Sequence, residues 1–227
     1  MRFRVDYRLE HMRAYKFRTA QNFDFVADII INNRLFCSDP RSLNDIREGD
    51  MRTGSNPGRE AEAFEFGMKF QNALRGHRVC SLSKTFNNHL LWAHYAAGFT
   101  GMAIEVEISP SDATEVRYEN SFLFLSDYFE RDDVGGAVRR ALTQKHPVWN
   151  YEEEVRIVTT ETFYKLAAPI GRIIVGPRMS PPMVNALYLI CSHYGIRLER
   201  AIDCDWGLET VGAQFTGRDP TTRSRGE

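Results

Sequence analysis

The sequence predicts an α+β fold, and three observations carry that prediction. The alternating Ile-Glu-Val-Glu-Ile pattern at 104–108 is typical of a strand with one buried face. Apolar residues recur at helical spacing in 23–32 and 181–194. Strands and helices do not alternate regularly, and no GxGxxG opens a βαβ unit, which disfavours a parallel doubly wound sheet. We therefore expect a mixed, mostly antiparallel central sheet with flanking helices.

The first half of the chain predicts three strands, three helices and one long loop. Extended segments are predicted at 13–18, 35–38 and 79–83. Helices are predicted at 23–32, 60–74 and 87–97. The helix at 60–74 is expected to bury a face formed by Ala61, Phe64, Met68 and Leu74. Residues 39–59 are rich in Pro, Asn, Asp, Arg and Gly without a sustained period, which predicts an irregular surface loop.

The second half predicts further strands around two helical regions. Strands are predicted at 102–108, 153–159, 171–176 and 196–198. Residues 122–142 predict one or two helices interrupted at Gly135-Gly136. The helix at 181–194 is expected to stop at Gly195, because glycine adopts the left-handed conformation that ends many helices.

Composition indicates an ordinary globular protein. The chain has 227 residues, of which 43% are hydrophobic, and no internal repeat or composition break divides it. We expect one α+β domain over residues 1–216 and a disordered tail at 217–227. With 29 basic and 30 acidic residues, no bulk charge draws the protein toward nucleic acid or an anionic membrane.

The apolar runs and the cysteines of the sequence predict where the protein is located and whether its thiols are reduced. No apolar run approaches the roughly 20 residues that a bilayer crossing needs, and the start Met1-Arg2-Phe3-Arg4 lacks the apolar stretch of a secretory signal. We therefore expect a cytoplasmic protein with no membrane partner. The four cysteines include no CxxC pair, so we expect reduced, mostly buried thiols rather than a zinc site or a disulfide framework.

The first polar cluster is the segment 149–156, Trp-Asn-Tyr-Glu-Glu-Glu-Val-Arg. If the strand starts early, its period of two places Glu152, Glu154 and Arg156 on one face. Two carboxylates and a guanidinium would then share one surface. The alternative is an edge strand whose charges are solvated and form a cross-strand ion pair.

A second cluster combines hydroxyls with polar aromatics. Ser81 and Ser83 are followed closely by Trp92, His94 and Tyr95. Such aromatic side chains can stack on a ligand ring and hydrogen-bond to it. The alternative is that Trp92 and Tyr95 pack in the core while His94 hydrogen-bonds a backbone carbonyl.

A third cluster is cationic. Lys16 and Arg18, beside Tyr15, could hold a phosphate, with Arg18 acting as a bidentate fork and Lys16 as a point charge. The alternative is an exposed strand face. Asn44 and Asp45, in the irregular loop, are either turn residues that bond their own backbone or part of the site lining.

These motifs occur in an order that resembles a bacterial family known as a domain of unknown function. The elements are Tyr15-Lys16-Phe17-Arg18, Leu35-Phe36-Cys37-Ser38 with Asn44-Asp45, Cys80-Ser81-Leu82-Ser83, Leu91-Trp92-Ala93-His94-Tyr95, Trp149-x-Tyr151-Glu152-x-Glu154-x-Arg156 and Ile173-Ile174-Val175-Gly176. The family usually follows Asn-Asp with a proline and an acidic residue, whereas this chain has Ile46-Arg47. The resemblance spans most of the chain but implies no activity.

A more distant resemblance suggests chemistry. Arginine-type ADP-ribosyltransferases carry an Arg on the first strand, then Ser-x-Ser, then Glu-x-Glu, and their sheet is split. The order here is similar, with Arg18, Ser81-Leu82-Ser83 and Glu152-Glu153-Glu154. The resemblance implies that NAD is the substrate, cleaved at its nicotinamide-ribose bond, and that ADP-ribose passes to a protein or nucleic-acid acceptor. A toxin or phage-defence effector would fit this activity.

The resemblance also implies a role for each residue. Glu154 would stabilise the oxocarbenium-like ribose, and Glu152 would position or deprotonate the acceptor. Arg18, with Tyr15 and Lys16 beside it, would hold the pyrophosphate. Ser81 or Ser83 would orient the ribose and Glu154, and Trp92 or Tyr95 would stack on nicotinamide next to His94.

Two other classes of function remain open at this point. One is a metal-dependent nuclease with Asp45, His94, Glu152 and Glu154 around a divalent ion. The other is a non-catalytic module that captures a nucleotide or a nucleic-acid end in an aromatic and cationic pocket. The sequence leaves the acceptor and the oligomeric state undetermined.

Overall fold

The computed structural model describes residues 11–54 and 57–217. Its strands are β1 (Met12–Arg18), β2 (Arg34–Phe36), β3 (Arg78–Ser83), β4 (Met102–Ile108), β5 (Ala113–Glu115), β6 (Arg117–Tyr118), β7 (Gln144–Lys145), β8 (Glu154–Thr159), β9 (Phe163–Lys165), β10 (Arg172–Val175), β11 (Arg197–Cys204) and β12 (Gly207–Gly212). Its α-helices are α1 (Phe23–Asn32), α2 (Glu60–Gly76), α3 (His89–Tyr95), α4 (Ser126–Phe129), α5 (Val134–Ala141) and α6 (Pro181–Tyr194). Short 3-10 helices cover Ala20–Asn22, Pro40–Ser42 and Pro147–Glu152.

Eight strands form the central sheet, in the order β12-β11-β10-β4-β1-β3-β8-β5. Within it β10 and β11 run parallel, connected through α6, and the other neighbours are antiparallel. Two small sheets join β2 to β9 and β6 to β7. The predicted α+β class, with a mixed and mostly antiparallel sheet, is confirmed.

Helices cover both faces of the sheet because strand residues alternate between two cores. On one face, α1 and α6 pack against Ile104 and Ile173 through side chains such as Val26 and Leu187. On the opposite face, α3 packs its Trp92 in the core that also contains Phe17, Ala103 and Ile174. A third core lies between α2, α4 and α5. This arrangement fixes α3 and the start of β8 relative to β1 and β3.

Most predicted elements are present, and three details were wrong. The helical region at 122–142 breaks at 130–133, while Gly135-Gly136 lie in the first turn of α5. The strand predicted at 196–198 extends to Cys204 as β11 and is followed by β12, which the sequence did not reveal. In α2 the buried face is Ala63, Phe66, Phe70 and Leu74, while Phe64 and Met68 are 70% and 47% exposed. Two apolar stripes on α2 have helical spacing, and tertiary packing selects between them.

Several other expectations concern the loop, the tail, the membrane and the cysteines. Residues 39–54 and 57–59 contain only one short 3-10 helix, as predicted, and 55–56 lie outside the described residues. The predicted disordered tail lies beyond them too, apart from Gly217.

No helix within the described ranges combines the length and the apolar character that a membrane crossing demands. The predicted free thiols are confirmed, with Cys37, Cys80 and Cys191 buried and Cys204 partly buried.

The junction between β1 and β3 is the narrowest in the central sheet. β1 pairs with β4 along its whole length, from Met12 to Arg18, but with β3 only through Tyr15 and Ser83. Beyond that pair, β3 instead bonds to Ser38, which exchanges two backbone hydrogen bonds of 2.8 and 2.9 Å with Val79. The strands therefore remain in one hydrogen-bonded sheet, which opens into a cleft between β1 and β3.

Candidate functional site

The opening between β1 and β3 contains a cavity of about 360 Å³. Its size is within the roughly 300–1,000 Å³ typical of small-molecule sites. The polar residues that line it are Lys16, Arg18, Thr19, Asn22, Ser38, Ser42, Asn44, Ser81, Ser83, His94, Tyr95, Lys145, Glu152 and Glu154. The three polar clusters of the sequence, which lie far apart in the chain, therefore meet at one cavity.

Two buried glutamates converge on a buried lysine in the lining of the cleft. The Lys145 ammonium donates to Glu152 Oε2 at 2.5 Å and to Glu154 Oε2 at 3.4 Å. It also donates to Asn44 Oδ1 at 3.1 Å. Lys145, Glu152 and Glu154 are each at most 5% exposed. Charges this deeply buried are costly unless they are paired, and here the pairing is internal to the cluster.

Arg156 completes this cluster from the core side. Its guanidinium donates two hydrogen bonds of 2.8 Å to the Glu154 carboxylate, from Nε to Oε1 and from Nη2 to Oε2. Its Nη1 donates to the Leu142 carbonyl at 2.7 Å, and Nη2 also donates to Glu48. Such a bidentate fork fixes the plane of a carboxylate as well as its charge. Arg156 therefore orients Glu154 without itself lining the cleft. We use the name carboxylate cluster for Glu48, Lys145, Glu152, Glu154 and Arg156.

The local backbone explains how Glu152 and Glu154 come to face each other. The 3-10 helix Pro147–Glu152 ends at Glu153, which adopts a left-handed conformation with φ 43° and ψ 49°. β8 then begins at Glu154. The prediction that Glu152, Glu154 and Arg156 lie together is confirmed, but by this turn rather than by an early start of the strand. Glu153 points outward and is exposed.

The environments of the two carboxyl groups differ. Burial disfavours ionisation of Glu154, but the charges and hydrogen bonds of Arg156 and the charge of Lys145 outweigh it and hold the pKa at about 2. For Glu152, burial is the dominant effect and raises the pKa above its ordinary value, against the opposing influence of Lys145 and Tyr95. Carboxyl pairs whose pKa values are driven apart can divide the roles of fixed charge and proton carrier.

Polar groups on the cleft side hold Glu152 in place. The Tyr95 hydroxyl donates to Glu152 Oε1, and Asn44 Nδ2 donates to the Tyr95 oxygen. Ser83 Oγ donates to the backbone carbonyl of Glu152 at 2.7 Å. The hydroxyl of Ser83 is thus occupied by the main chain of the turn, so Ser83 positions Glu152 rather than presenting a free donor to a ligand.

The cleft is also lined by two cations, Lys16 and Arg18. Lys16 Nζ donates to the Ser81 carbonyl at 2.7 Å, while the buried Nε of Arg18 has no hydrogen-bond partner. Burial lowers the pKa of both side chains. Within the described part of the chain, neither forms a salt bridge with a carboxylate. Partly buried cations with free donors favour an anion in the cleft. We call Lys16 and Arg18 the cationic pair.

Three candidates from the sequence do not line the cleft. Trp92 is fully buried, packs edge-on against Phe17 with ring centres 5.3 Å apart, and donates its indole N–H to Phe86 O. It has no free face for a ligand, so its predicted stacking role is wrong. Asp45 instead organises its loop by accepting from the backbone N–H groups of Arg47 and His146. Arg156 is the third, as described above.

Tyr15 and His94 contact the cleft only in part. Tyr15 lines it, but the Tyr15 hydroxyl donates to Glu105 at 3.1 Å and accepts from Arg172. His94 is exposed at the mouth, where Nδ1 lies 2.8 Å from the Tyr151 hydroxyl. Ser81 lines the cleft and offers its carbonyl to Lys16. Tyr95 is therefore the aromatic residue that reaches the carboxylate cluster from α3.

Sequence reasoning missed two members of the carboxylate cluster, Lys145 and Glu48. Lys145 is flanked by Gln144 and His146 in a polar stretch that resembles surface, and Glu48 lies in the irregular loop. No local signal indicates that either is buried. The sequence did offer one indirect indication. If Glu152 and Glu154 are both buried beside Arg156, their two negative charges require a second cation, which is Lys145.

The expected metal ligands do not assemble. Across residues 11–54 and 57–217, no group of three or more His, Cys, Asp or Glu side chains is arranged to hold a metal ion. Asp45 bonds backbone N–H groups, His94 faces Tyr151, and both glutamates are neutralised by Lys145 and Arg156. The geometry thus gives the nuclease alternative no support.

Comparison with protein-family models, with curated proteins and with solved structures found no match to this chain. The functional argument therefore rests on the geometry and charge of the cleft.

Proposed function

We propose that the protein cleaves NAD at the nicotinamide-ribose bond and transfers ADP-ribose to a protein or nucleic-acid acceptor. The observation that carries the proposal is the charge distribution of one cavity, which is lined both by the cationic pair, in which Arg18 Nε lacks a partner, and by an ionised, immobilised Glu154. NAD has the matching polarity, with an anionic pyrophosphate near its middle and a cationic nicotinamide-ribose at one end. The proposal assigns the cationic pair to the pyrophosphate and Glu154 to the nicotinamide-ribose.

Glu154 supplies the electrostatic part of the reaction. When the bond between ribose C1′ and the nicotinamide nitrogen breaks, nicotinamide leaves with the electron pair and positive charge develops on the ribose. A fixed carboxylate stabilises this oxocarbenium-like state. Arg156 holds the Glu154 carboxylate in one orientation and keeps it ionised, so no reorganisation is needed as the charge forms.

Glu152 supplies the proton-transfer part. The acceptor nucleophile forms a new bond to C1′, and its proton passes to the Glu152 carboxylate. The raised pKa of Glu152 favours it as the proton carrier of the pair. Tyr95 and Asn44 orient it, and Ser83 holds its backbone. Tyr95 flanks the leaving nicotinamide in this scheme, in place of Trp92.

The order of motifs along the chain adds support. The Arg, Ser-x-Ser and Glu-x-Glu elements that resemble those of ADP-ribosyltransferases all lie at one cavity, at the narrow junction of the sheet. Three short motifs matched by chance would have no reason to meet in space. The same resemblance suggests a toxin or phage-defence effector, and this role is part of the proposal.

The test uses radiolabelled NAD with a cell extract and follows both label transfer and nicotinamide release. We expect Glu154→Gln to reduce either signal about 100- to 1,000-fold, the usual loss when one electrostatic stabiliser is removed. Glu153→Gln is the matched control, because Glu153 is adjacent in sequence but exposed, and it should retain activity. Circular dichroism of each variant verifies folding, and Glu152→Gln provides a second carboxylate variant.

The outcomes separate the competing functions. NAD binding without turnover in the wild-type protein, unchanged by Glu154→Gln, would replace the proposal with a non-catalytic nucleotide-binding module. Nuclease activity that chelation abolishes, without NAD binding, would replace it with the metal-dependent enzyme. For the effector role, we expect expression in bacterial cells to arrest growth with the wild-type chain and with Glu153→Gln, but not with Glu154→Gln.

A further inference from the structure

Two buried cysteines, Cys37 and Cys80, face each other in the core beside the cleft. Ser38 and Val79 exchange two backbone hydrogen bonds in antiparallel orientation, so the next residues outward, Cys37 and Cys80, are directly opposite. The Cys37 N–H points away from β3 and donates to the Thr162 carbonyl at 2.9 Å. Cys37 and Cys80 are therefore a non-hydrogen-bonded antiparallel pair, in which Cα atoms are typically about 4.5 Å apart. That separation is within the range that a disulfide spans.

Their side chains also point the same way. Both residues are fully buried in the core between the sheet, α1 and α6. The Cys37 S–H donates to the Leu35 carbonyl at 3.8 Å. The two thiols are close enough to influence each other's ionisation, which raises the pKa of Cys37 and lowers that of Cys80. The backbone geometry of the pair is that of two cysteines that a disulfide can link.

The cationic pair activates one of the two thiols. The neighbouring Cys37 thiol and the charges of Lys16 and Arg18 lower the pKa of Cys80 to about 6, against the opposing effect of burial. Cys191 is a useful contrast, because burial alone acts on it and raises its pKa to about 11. Thiolates rather than thiols attack oxidants, and nearby cations favour them. Ser38 and Ser81, each adjacent in sequence to one of the two cysteines, line the cleft, whereas the two thiols themselves are buried.

We propose that Cys37 and Cys80 form a reversible disulfide when the protein meets a peroxide. The Cys80 thiolate attacks one oxygen of hydrogen peroxide, so an S–O bond forms, the O–O bond breaks and Cys80 becomes a sulfenic acid. Hydroxide leaves and takes up the proton that Cys80 released, which gives the first water. The Cys37 sulfur then attacks the Cys80 sulfur, the S–S bond forms, the S–O bond breaks, and the Cys37 proton leaves with the oxygen as water. In sum, two thiols lose two electrons and two protons, and hydrogen peroxide is reduced to two water molecules.

The disulfide would act on the cleft in two ways. It would tie the start of the loop that carries Asn44 and Glu48 to β3. It would also remove the thiolate beside Lys16 and Arg18, leaving the cationic pair with more uncompensated positive charge. Oxidation should therefore strengthen the binding of anions. Neither effect depends on NAD chemistry.

The test treats reduced, folded protein with hydrogen peroxide, then unfolds and alkylates it for peptide mapping by mass spectrometry. We expect a linked pair of peptides containing Cys37 and Cys80, lost on treatment with dithiothreitol, while Cys191 and Cys204 remain alkylated. Cys37→Ser and Cys80→Ser should each abolish the link. Cys191→Ser is the matched control for removing a buried thiol, and it should preserve the link.

A second measurement makes the result independent of the variants. Oxidised wild-type protein should unfold at a higher temperature than the reduced form, because the cross-link restricts the unfolded chain. It should also bind inorganic pyrophosphate several-fold more tightly. The proposal is overturned if all four cysteines remain alkylatable after oxidation, if the link forms only in denaturant, or if peroxide converts Cys80 to a sulfinic acid without pairing.

Discussion

The carboxylate cluster and the cationic pair, which both contribute to the cleft, are compensated in different ways. At the carboxylate cluster every charged group has a partner of opposite sign, and the groups are deeply buried. At the cationic pair, Arg18 keeps a donor without a partner and Lys16 has only a carbonyl. Glu48 Oε2 lacks a hydrogen-bond partner in the first arrangement, whereas a charged N–H donor of Arg18 lacks one in the second. A molecule with an anionic centre and a cationic end would meet a preorganised Glu154 carboxylate and a free Arg18 donor.

The largest effect expected from this comparison concerns the two arginines. Arg156→Met leaves Glu154 and Glu48 buried without their cation and should lower the free energy of unfolding by about 3 to 5 kcal/mol. Arg18→Met removes a cation that has no carboxylate partner, so the stability of the ligand-free protein should change by less than about 1 kcal/mol. Urea unfolding of both variants measures the difference. Equal destabilisation would show that Arg18 also has a structural counter-charge.

Acid should break the carboxylate cluster next. Glu154 has a folded-state pKa of about 2, below the ordinary value, so it contributes stability that is fully present above about pH 5 and is lost as pH falls toward 2. The expected loss is about 3 kcal/mol, given the size of the pKa shift. Urea unfolding of the wild type at pH 7, 5 and 3 gives the profile. Glu154→Gln serves as the reference, and a profile as steep as that of the wild type would contradict this assignment.

The cationic pair should control the binding of anions. Arg18→Met should weaken the binding of ADP or pyrophosphate by about 10- to 100-fold, because a charge-assisted hydrogen bond contributes about 1.5 to 3 kcal/mol. Isothermal titration calorimetry measures this, and the loss should shrink at high salt. Arg13→Met, on the same strand but with an exposed side chain, is the matched control. An equal loss in both variants would argue against a specific anion site.

A smaller effect distinguishes the aromatic residues. Tyr95→Phe removes the hydroxyl that donates to Glu152 and should lower the free energy of unfolding by about 1 kcal/mol. If Glu152 carries the proton, the loss of a hydrogen bond that lowers its pKa also shifts the pH profile of NAD turnover toward higher pH, whereas a purely structural role leaves the profile unmoved. Tyr151→Phe, whose hydroxyl contacts His94 at the mouth, provides the comparison and should leave the profile unchanged.

The smallest effect concerns the turn between the glutamates. Glu153 holds a left-handed backbone conformation that asparagine and glycine adopt more readily. Glu153→Asn should therefore increase the free energy of unfolding by about 0.5 kcal/mol, with no effect on ligand binding. Thermal unfolding detects the gain. A decrease instead would mean that the exposed Glu153 carboxylate contributes more to stability than its conformation costs.

Period and spacing predicted most of the fold, because strands such as β4 and helices such as α6 carry their pattern locally. The proximity of Glu152 and Glu154 was predicted from a period of two, but the left-handed turn at Glu153 produces it. The burial of Trp92 was not predictable, since a polar-aromatic segment on α3 has the same sequence whether it faces a ligand or the core. Lys145 was not predictable either, because its partners include Glu48 from a distant loop. Such contacts depend on tertiary packing, which no local pattern encodes.

The single residue pair between β1 and β3, Tyr15 with Ser83, limits how strongly the two halves of the central sheet are connected. On one side of this junction β4 pairs with β1 over many residues, and on the other side β8 pairs with β3 over many residues. Between β1 and β3 themselves, backbone pairing is limited to one residue pair. A ligand that contacted Arg18 on β1 and Glu154 on β8 would connect the two halves of the sheet across this junction. Amide protons of β1 and β3 at this junction should then exchange more slowly when a ligand fills the cleft. Ligand binding could therefore be followed by the hydrogen-exchange rates of these two strands.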